Sequence, residues 1–300
     1  MSAGSQKMKV GIIGLGIMGR AYAAQLCKAG YEVHGFDLAP EGMAKLRELG
    51  GQPRESVADV ARNADHLLIA LPSIAALRAV VEEIAPALRE GMVVAEMGTL
   101  PLEAKEEARA AIETHGAVML DCPVSGTGAQ AAKGDLVVYM SGDASASEFV
   151  RPIFESLASD VRHVGPFGAG MKLKYVANLL VSIHNLATAE ALLLAERSGL
   201  DLQMTFDAIA SGGAGSSRMF EMRGPLMIKH EYEPATMKMD VYMKDVMLIL
   251  EHARSVDCPV PLMATSLSYY SAALAQGRHK QDTAALFEVV GQLARREGDE

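Results

Sequence analysis

The first half of the chain alternates short apolar runs with longer segments in which apolar positions recur every three or four residues. The runs predict buried β-strands and the periodic segments predict amphipathic helices. Such alternation is typical of a parallel sheet with helices on both faces. The predicted strands are 9–13, 32–36, 66–71, 92–96, 117–120, 137–140 and 161–164. The predicted helices are 17–29, 101–115, 145–157 and one that follows Pro72-Ser73 and ends near 88.

The second half has no comparable strand pattern. Proline and glycine are absent from 171 to 198, which predicts one long helix. Helices are also predicted over 238–255, 262–275 and 281–296, and the glycine- and serine-rich segment 211–217 predicts a loop. We therefore expect an α/β domain over 1–165 and an all-α domain over 166–300, joined by the long helix.

Composition narrows the classes of partner. Half of the 300 residues are apolar and the net charge is −9, which argues against attraction to nucleic acid or anionic lipid. The three cysteines and eight histidines lack the spacing of metal ligands, so we expect no metal and a reducing, cytoplasmic location. The apolar span 175–195 carries Asn178, His184, Asn185 and Glu190, which favours a buried helix over a membrane segment.

A glycine-rich segment follows the first strand. In Gly14-Leu15-Gly16-Ile17-Met18-Gly19, the glycines permit a tight turn and a close approach of backbone to a diphosphate, which the start of the next helix would hold. Asp37 comes 23 positions after Gly14, where a carboxylate would receive the ribose hydroxyls of NAD and repel the extra phosphate of NADP. Alternatively, Asp37 only caps the turn before Pro40. The pattern predicts a Rossmann domain that prefers NAD to NADP.

Two later turns are expected to lie beside the same cofactor. Leu71-Pro72 and Thr99 follow predicted strands, and ligands of parallel sheets bind beyond the carboxyl ends of the strands. Either turn could also be a simple connection.

Two further segments contain candidate chemistry. Ser125-Gly126-Thr127-Gly128 offers a hydroxyl and several N–H groups to a carboxylate, although the segment by itself is better explained as a glycine-rich surface loop. On the long helix, Lys174 and Asn178 are four residues apart and share a face, whereas Lys172 points elsewhere. A lysine beside an amide suits proton transfer, and the alternative is a pair of solvated surface residues.

Three motifs in this order resemble those of the β-hydroxyacid dehydrogenase family, which includes 3-hydroxyisobutyrate dehydrogenases and tartronate semialdehyde reductases. They are GLGIMG at 14–19, DCPVSGTGAQAAKGDL at 121–136 and GAGMKLKYVAN at 168–178. A fourth piece, Lys244-Asp245 in MKMDVYMKDVMLILE, is similar to the lysine-aspartate motif of the family. The resemblance covers nearly the whole chain.

The resemblance implies an active site in a cleft between a Rossmann domain and an all-α domain. Lys174 would be the catalytic lysine and Asn178 its substrate-orienting partner, while Ser125, Gly126 and Thr127 would bind the substrate carboxylate. Lys244 and Asp245 would close the site over nicotinamide and substrate. The family also implies a homodimer or homotetramer.

Three positions depart from the usual family pattern, namely Gly98, Thr127 and Ala177, where serine, glycine and asparagine are usual. Because Lys174 and Asn178 are retained, these departures affect the expected substrate more than the reaction. We expect NAD-linked oxidation of a small β-hydroxyacid such as 3-hydroxyisobutyrate, or reduction of its semialdehyde. The alternatives are NADPH-linked reduction of a tartronate- or succinic-type semialdehyde, imine reduction, and a non-catalytic NAD(P)-binding sensor. Imine reductases of this fold usually lack the lysine.

Overall fold

A computed structural model describes residues 8–293 of the chain. Contacts divide the chain into two compact units, the first ending at Lys174 and the second beginning at Tyr175. The strands of the first unit are β1 (Lys9–Ile13), β2 (Glu32–Phe36), β3 (Gln52–Pro53), β4 (His66–Ile69), β5 (Val93–Glu96), β6 (Val118–Asp121), β7 (Val124–Ser125), β8 (Val137–Met140) and β9 (Asp160–His163). Its helices are α1 (Ile17–Lys28), α2 (Pro40–Glu48), α3 (Val57–Asn63), α4 (Ile74–Ile84), α5 (Leu102–Glu113), α6 (Gly128–Ala131) and α7 (Ala144–Glu155), with a 3₁₀ turn at Ala85–Ala87.

Six strands form a parallel sheet in the order β3-β2-β1-β4-β5-β6. Successive residues of a strand face opposite sides, so Ile12 and Leu68 pack into one core while Ile13, Leu67 and Ile69 pack into the other. Apolar side chains on both faces explain why the strands read as continuous apolar runs. The chain adds strands to one side of β1 as far as β3 and then to the other side from β4 to β6. Ligands of such sheets bind at the point where the order reverses, between β1 and β4.

The remaining strands form a separate three-stranded sheet, in which β7 pairs antiparallel with β8 and β8 pairs parallel with β9. A bridge between Asp121 and Ser141 links the end of β6 to the residue after β8. The serine loop, residues 125–128, therefore starts from a short strand that is paired on one side.

The second unit is helical. Its helices are the later part of α8 (Ala169–Arg197), then α9 (Leu202–Ala210), α10 (Arg218–Lys229), α11 (Met239–Ser255), α12 (Pro261–Ala275) and α13 (Leu286–Leu293), with a 3₁₀ turn at Thr283–Ala285. Within 175–293 the structure contains no strand. In the described residues only α8 is long and apolar enough to cross a membrane, by length and composition. Because Asn178, Ser182 and Asn185 are buried along α8, we interpret it as a core helix.

The predicted fold class is confirmed, with strands β1, β2 and β8 at their predicted bounds. Helices α2, α3, α9 and α10 were not predicted individually. The predicted helix 281–296 begins instead with the 3₁₀ turn, and its last residues lie outside the described ones. The domain boundary at 165/166 stays a prediction, and the contact-based division falls a few residues later, inside α8.

Candidate active site

The turn between β1 and α1 leaves open space at one glycine and none at two others. Gly14 has a φ of 92°, and a Cβ added there would lie 2.3 Å from the carbonyl oxygen of Ala70. A Cβ at Gly19 would lie 1.8 Å from the carbonyl oxygen of Gly14, so the start of the helix packs directly on the turn. A Cβ at Gly16 would meet nothing within 4 Å. Gly14 and Gly19 are thus required by the fold, whereas Gly16 borders open space.

Helix α1 begins at that open space. Its N-cap is Gly16, no side chain caps the first turn, and the first turn contains no acidic residue. The first N–H groups of a helix carry partial positive charge and bind anions. An uncapped helix start next to an uncrowded glycine fits the diphosphate of a nicotinamide dinucleotide.

Asp37 fixes the same turn from the end of β2. Its Oδ2 accepts a hydrogen bond from the N–H of Leu15 at 2.6 Å, and its Oδ1 accepts one from the N–H of Ala39 at 2.7 Å. The carboxylate therefore caps the turn before Pro40 and also touches the glycine-rich turn. Each carboxylate oxygen accepts more than one hydrogen bond, so these contacts are compatible with bound ribose hydroxyls. The nearby cation Arg20 is paired with Glu41.

The turns after β4 and β5 lie side by side at the same edge of the sheet. The N–H of Met97 donates to the carbonyl oxygen of Ile69 at 2.8 Å. A Cβ at Gly14 would lie 3.4 Å from the side chain of Leu71, and one at Gly98 would lie 3.1 Å from the Leu71 carbonyl oxygen. The segments that contain Leu71-Pro72 and Thr99 are therefore neighbours of the glycine-rich turn.

The serine loop approaches this edge from the second sheet. Ser125 pairs with Val137 through its backbone, and its hydroxyl has no hydrogen-bond partner within 8–293. Gly126 has a φ of 141°, which favours glycine. A Cβ at Gly128 would lie 2.7 Å from the side chain of Ile17, so the serine loop contacts the glycine-rich turn.

Thr127, where the family usually has glycine, forms a capping box with Gln130. The N–H of Thr127 donates to Gln130 Oε1 at 3.0 Å, and the N–H of Gln130 donates to Thr127 Oγ1 at 3.3 Å. This reciprocal arrangement begins the short helix α6. The N–H of Thr127 could therefore bind a substrate only by leaving Gln130.

Lys174 and Asn178 lie one turn apart on α8, and both are buried, with 9% and 6% of their surface exposed. Lys172 is exposed. The predicted difference between the two lysines thus holds in the structure, and the solvated alternative does not describe Lys174 or Asn178.

The amide of Asn178 is held by α11. Its Nδ2 donates to Asp245 Oδ2 at 3.0 Å, and Asp245 Oδ1 lies 3.1 Å from the ammonium of Lys244. The main-chain carbonyl oxygen of Asn178 accepts hydrogen bonds from the hydroxyls of Tyr242 and Ser182 at 2.8 and 3.0 Å. Burial raises the pKa of Tyr242, which keeps this hydroxyl protonated as a donor. Because a carboxylate only accepts, the amide nitrogen faces Asp245 and Oδ1 faces away.

Two models of known protein families match the chain. Residues 9–165 match the family model described as the NAD binding domain of 6-phosphogluconate dehydrogenase. Residues 168–290 match the model described as NAD-binding of NADP-dependent 3-hydroxyisobutyrate dehydrogenase. The chain belongs to the β-hydroxyacid dehydrogenase family.

Members of the family resemble the chain over nearly its full length. An L-threonate dehydrogenase from Cupriavidus necator is 34% identical over 284 residues, which cover 93% of this chain and 95% of that protein. An NAD-dependent L-serine dehydrogenase from Pseudomonas aeruginosa is 31% identical over 294 residues, or 95% and 97% of the two chains. A crystal structure of 3-hydroxyisobutyrate dehydrogenase from Salmonella typhimurium matches with a TM-score of 0.85 and 32% identity, covering 94% of this chain and 100% of that one.

Membership of the family makes the chain an oxidoreductase with an NAD-binding Rossmann domain. The predicted enzyme class, family and nicotinamide cofactor are therefore confirmed. The roles predicted for individual residues stay predictions. Sequence reasoning did not single out Tyr242, nor the buried charges Glu96, Lys105 and Asp121. For Asp121 a signal was present, because it begins the serine-loop motif.

Proposed function

We propose that the protein is an NAD-dependent dehydrogenase of a small β-hydroxyacid, such as 3-hydroxyisobutyrate, or a reductase of the corresponding semialdehyde. The observation that carries this proposal is the buried pair of Lys174 and Asn178 one turn apart on α8, with the Asn178 amide fixed by Asp245. A non-catalytic sensor would not need a buried lysine beside an oriented amide.

Lys174 is the general acid and base of the reaction. The nicotinamide, when bound, accepts hydride from the carbinol carbon or returns it to the carbonyl carbon. In oxidation the hydroxyl proton passes to the neutral amine of Lys174, and in reduction the ammonium of Lys174 protonates the nascent alkoxide. The second N–H of Asn178 holds the substrate oxygen while the first stays on Asp245.

The carboxylate of the substrate binds at the serine loop. The hydroxyl of Ser125, which has no partner within 8–293, and the N–H of Gly126 are its donors. Thr127 contributes only if its N–H leaves Gln130. Relatives that act on L-threonate and L-serine support a small acid with a hydroxyl near the carboxylate.

NAD is the preferred cofactor because Asp37 presents a carboxylate at the end of β2, where the 2′-phosphate of NADP would be repelled. Lys244 and Asp245 would lie over nicotinamide and substrate, as the family resemblance implies. A homodimer or homotetramer in the cytoplasm remains our prediction for the assembly and location.

The test is an initial-rate assay of nicotinamide absorbance against 3-hydroxyisobutyrate, L-threonate, L-serine, D-glycerate and tartronate semialdehyde, with NAD(H) and NADP(H). We expect turnover with NAD and loss of at least about 100-fold in kcat for Lys174→Ala, because the proton-transfer group is removed. NAD affinity should stay near wild type. Lys172→Ala is the matched control, since Lys172 is exposed two residues away on the same helix.

Substantial turnover by Lys174→Ala would show that another group transfers the proton. NADP-only turnover would reverse the cofactor assignment. Tight NAD binding without turnover of any acid or semialdehyde would favour the sensor, whereas turnover of a cyclic imine alone would favour an imine reductase.

A further inference from the structure

Three charged side chains are buried together at the carboxyl ends of β5 and β6. Glu96, Lys105 and Asp121 are each 0% exposed. The ammonium of Lys105 lies 2.7 Å from Glu96 Oε2 and 2.7 Å from Asp121 Oδ1. Lys105 comes from the first turns of α5, so one helix supplies the cation for the ends of two strands.

Each carboxylate of this charge network, Glu96-Lys105-Asp121, also binds backbone of the candidate site. Glu96 Oε1 accepts the N–H of Gly98 at 2.8 Å, in the turn that contains Thr99. Asp121 Oδ2 accepts the N–H of Met171 at 2.8 Å, in the first turn of α8.

Ser141 reinforces the contact between Asp121 and the first turn of α8. The hydroxyl of Ser141 donates to Asp121 Oδ2 at 3.1 Å and accepts the N–H of Gly170 at 2.9 Å. Two of the N–H groups at the start of α8 are thus anchored on one buried carboxylate, directly or through Ser141. Lys174 is three residues beyond Met171, so this anchor fixes the turn from which Lys174 projects.

Lys105 places one positive charge between two buried carboxylates. Burial raises the pKa of Glu96, and the adjacent Lys105 opposes that effect. Burial lowers the pKa of Lys105, but Glu96 and Asp121 outweigh burial and raise it above its ordinary value. Tyr22 on α1 and Cys122 after β6 lie within electrostatic reach, and burial raises the pKa of both, so they remain neutral.

We propose that Lys105 is a positioning residue for the proposed reaction: its positive charge offsets the repulsion between Glu96 and Asp121, so that the Asp121 carboxylate stays on the first turn of α8 and sets the position of Lys174. The proposal rests on the function proposed for Lys174. The network joins the turn of Thr99, the strand that leads to Ser125 and the helix of Lys174, which are three segments of one candidate site. Loss of the cation leaves two buried carboxylates that repel each other, an effect that the loss of packing alone would not produce.

The test compares Lys105→Met with the double variant Lys105→Met/Glu96→Gln. In the single variant we expect kcat to fall by about 10- to 100-fold, the effect of a catalytic group misplaced by about 1 Å, while the Kd of NAD changes little. Its kcat should fall further as pH rises, because Glu96 then ionises beside Asp121 with no cation between them.

In the double variant the amide oxygen introduced by Glu96→Gln still accepts the N–H of Gly98, and Asp121 keeps the positive helix start as its counter-charge. We therefore expect kcat to return to its wild-type value and to lose the fall with rising pH. Lys45→Met, the same change in the exposed Lys45–Glu48 pair, is the control.

Hydrogen exchange at the Gly170 and Met171 amides reports the anchor without turnover. We expect exchange to be faster in Lys105→Met and to return to the wild-type rate in the double variant. Wild-type exchange and a wild-type pH profile in Lys105→Met would overturn the proposal, as would a folded double variant whose kcat is as low as that of the single variant. If Lys105→Met does not fold, kcat and amide exchange are measured on the double variant, in which both should match the wild type. Failure of the proposed function looks different: wild-type protein would turn over none of the acids, while the exchange result would still stand.

Discussion

Gly16 and Gly19 lie in the same glycine-rich turn, but alanine should affect different properties at the two positions: NAD affinity at Gly16 and stability at Gly19. Gly16 has a φ of −65°, which alanine adopts, and an added Cβ meets no atom within 4 Å. The loss of a favourable N-cap and the gain from a less flexible unfolded chain are each about 0.5–1 kcal/mol and opposite in sign. The unfolding free energy of Gly16→Ala should therefore stay close to wild type. The methyl group would occupy the space through which a diphosphate approaches, so we expect NAD affinity to fall by at least about tenfold, or about 1.4 kcal/mol.

Gly19→Ala should instead lower the stability of the protein, even in the absence of ligand. The added Cβ would lie 1.8 Å from the carbonyl oxygen of Gly14, where contacts of about 3.5–4 Å are normal, so the backbone of the turn must move. Such overpacking costs about 1–3 kcal/mol, and at about 2–4 °C per kcal/mol the melting temperature should fall by several degrees without any ligand.

The assay is thermal unfolding of both variants and wild type without ligand, followed by calorimetric titration with NAD. If Gly16→Ala folds normally and binds NAD with wild-type affinity, the diphosphate does not pass over this glycine. A Gly19→Ala variant as stable as wild type would contradict the packing of α1 on its own turn.

Two further predictions concern side chains that hold others in place. Asp37→Asn has one acceptor oxygen for the N–H groups of Leu15 and Ala39 and no charge to repel phosphate, so the ratio of kcat/KM for NAD over NADP should fall at least about tenfold; an unchanged ratio in steady-state assays would remove Asp37 from cofactor selection. Asp245→Asn keeps an acceptor oxygen on only one of the two sides on which Asn178 and Lys244 lie, so kcat should fall by about tenfold at nearly constant melting temperature; a wild-type kcat would mean that Asn178 needs no such support.

The sequence pattern predicted the elements whose apolar positions are unambiguous. Strand β1 is a short apolar run bounded by turn residues, and α8 lacks proline and glycine from residue 171 onward, so local signals and tertiary structure agree. Helices α2 and α3 are only nine and seven residues long and show too few turns for a clear period, although Pro40 at the start of α2 and the Ser56 cap of α3 are recognisable in retrospect.

The charge network lay beyond what local patterns reveal. Lys105 stands in LEAKEEARAAIE, a segment that resembles any solvated amphipathic helix. Its partners, Glu96 and Asp121, are nine and sixteen residues away along the chain, and only the packing of α5 beside β5 and β6 brings them together. Thr127 was noticed as a departure from the family pattern, but its reciprocal bond with Gln130 depends on the conformation of the loop. Contacts between distant parts of the chain decide both cases.

The buried position of Lys105 also has a thermal consequence. Removing charged groups from water becomes less costly as temperature rises, because their hydration has a strongly negative entropy. The contribution of the Glu96-Lys105-Asp121 network to the free energy of folding should therefore become more favourable on heating. An exposed pair such as Lys45–Glu48 contributes almost nothing to that free energy at any temperature. A warm habitat would favour keeping this lysine inside the protein, and a cold one would favour replacing the three charges with apolar side chains.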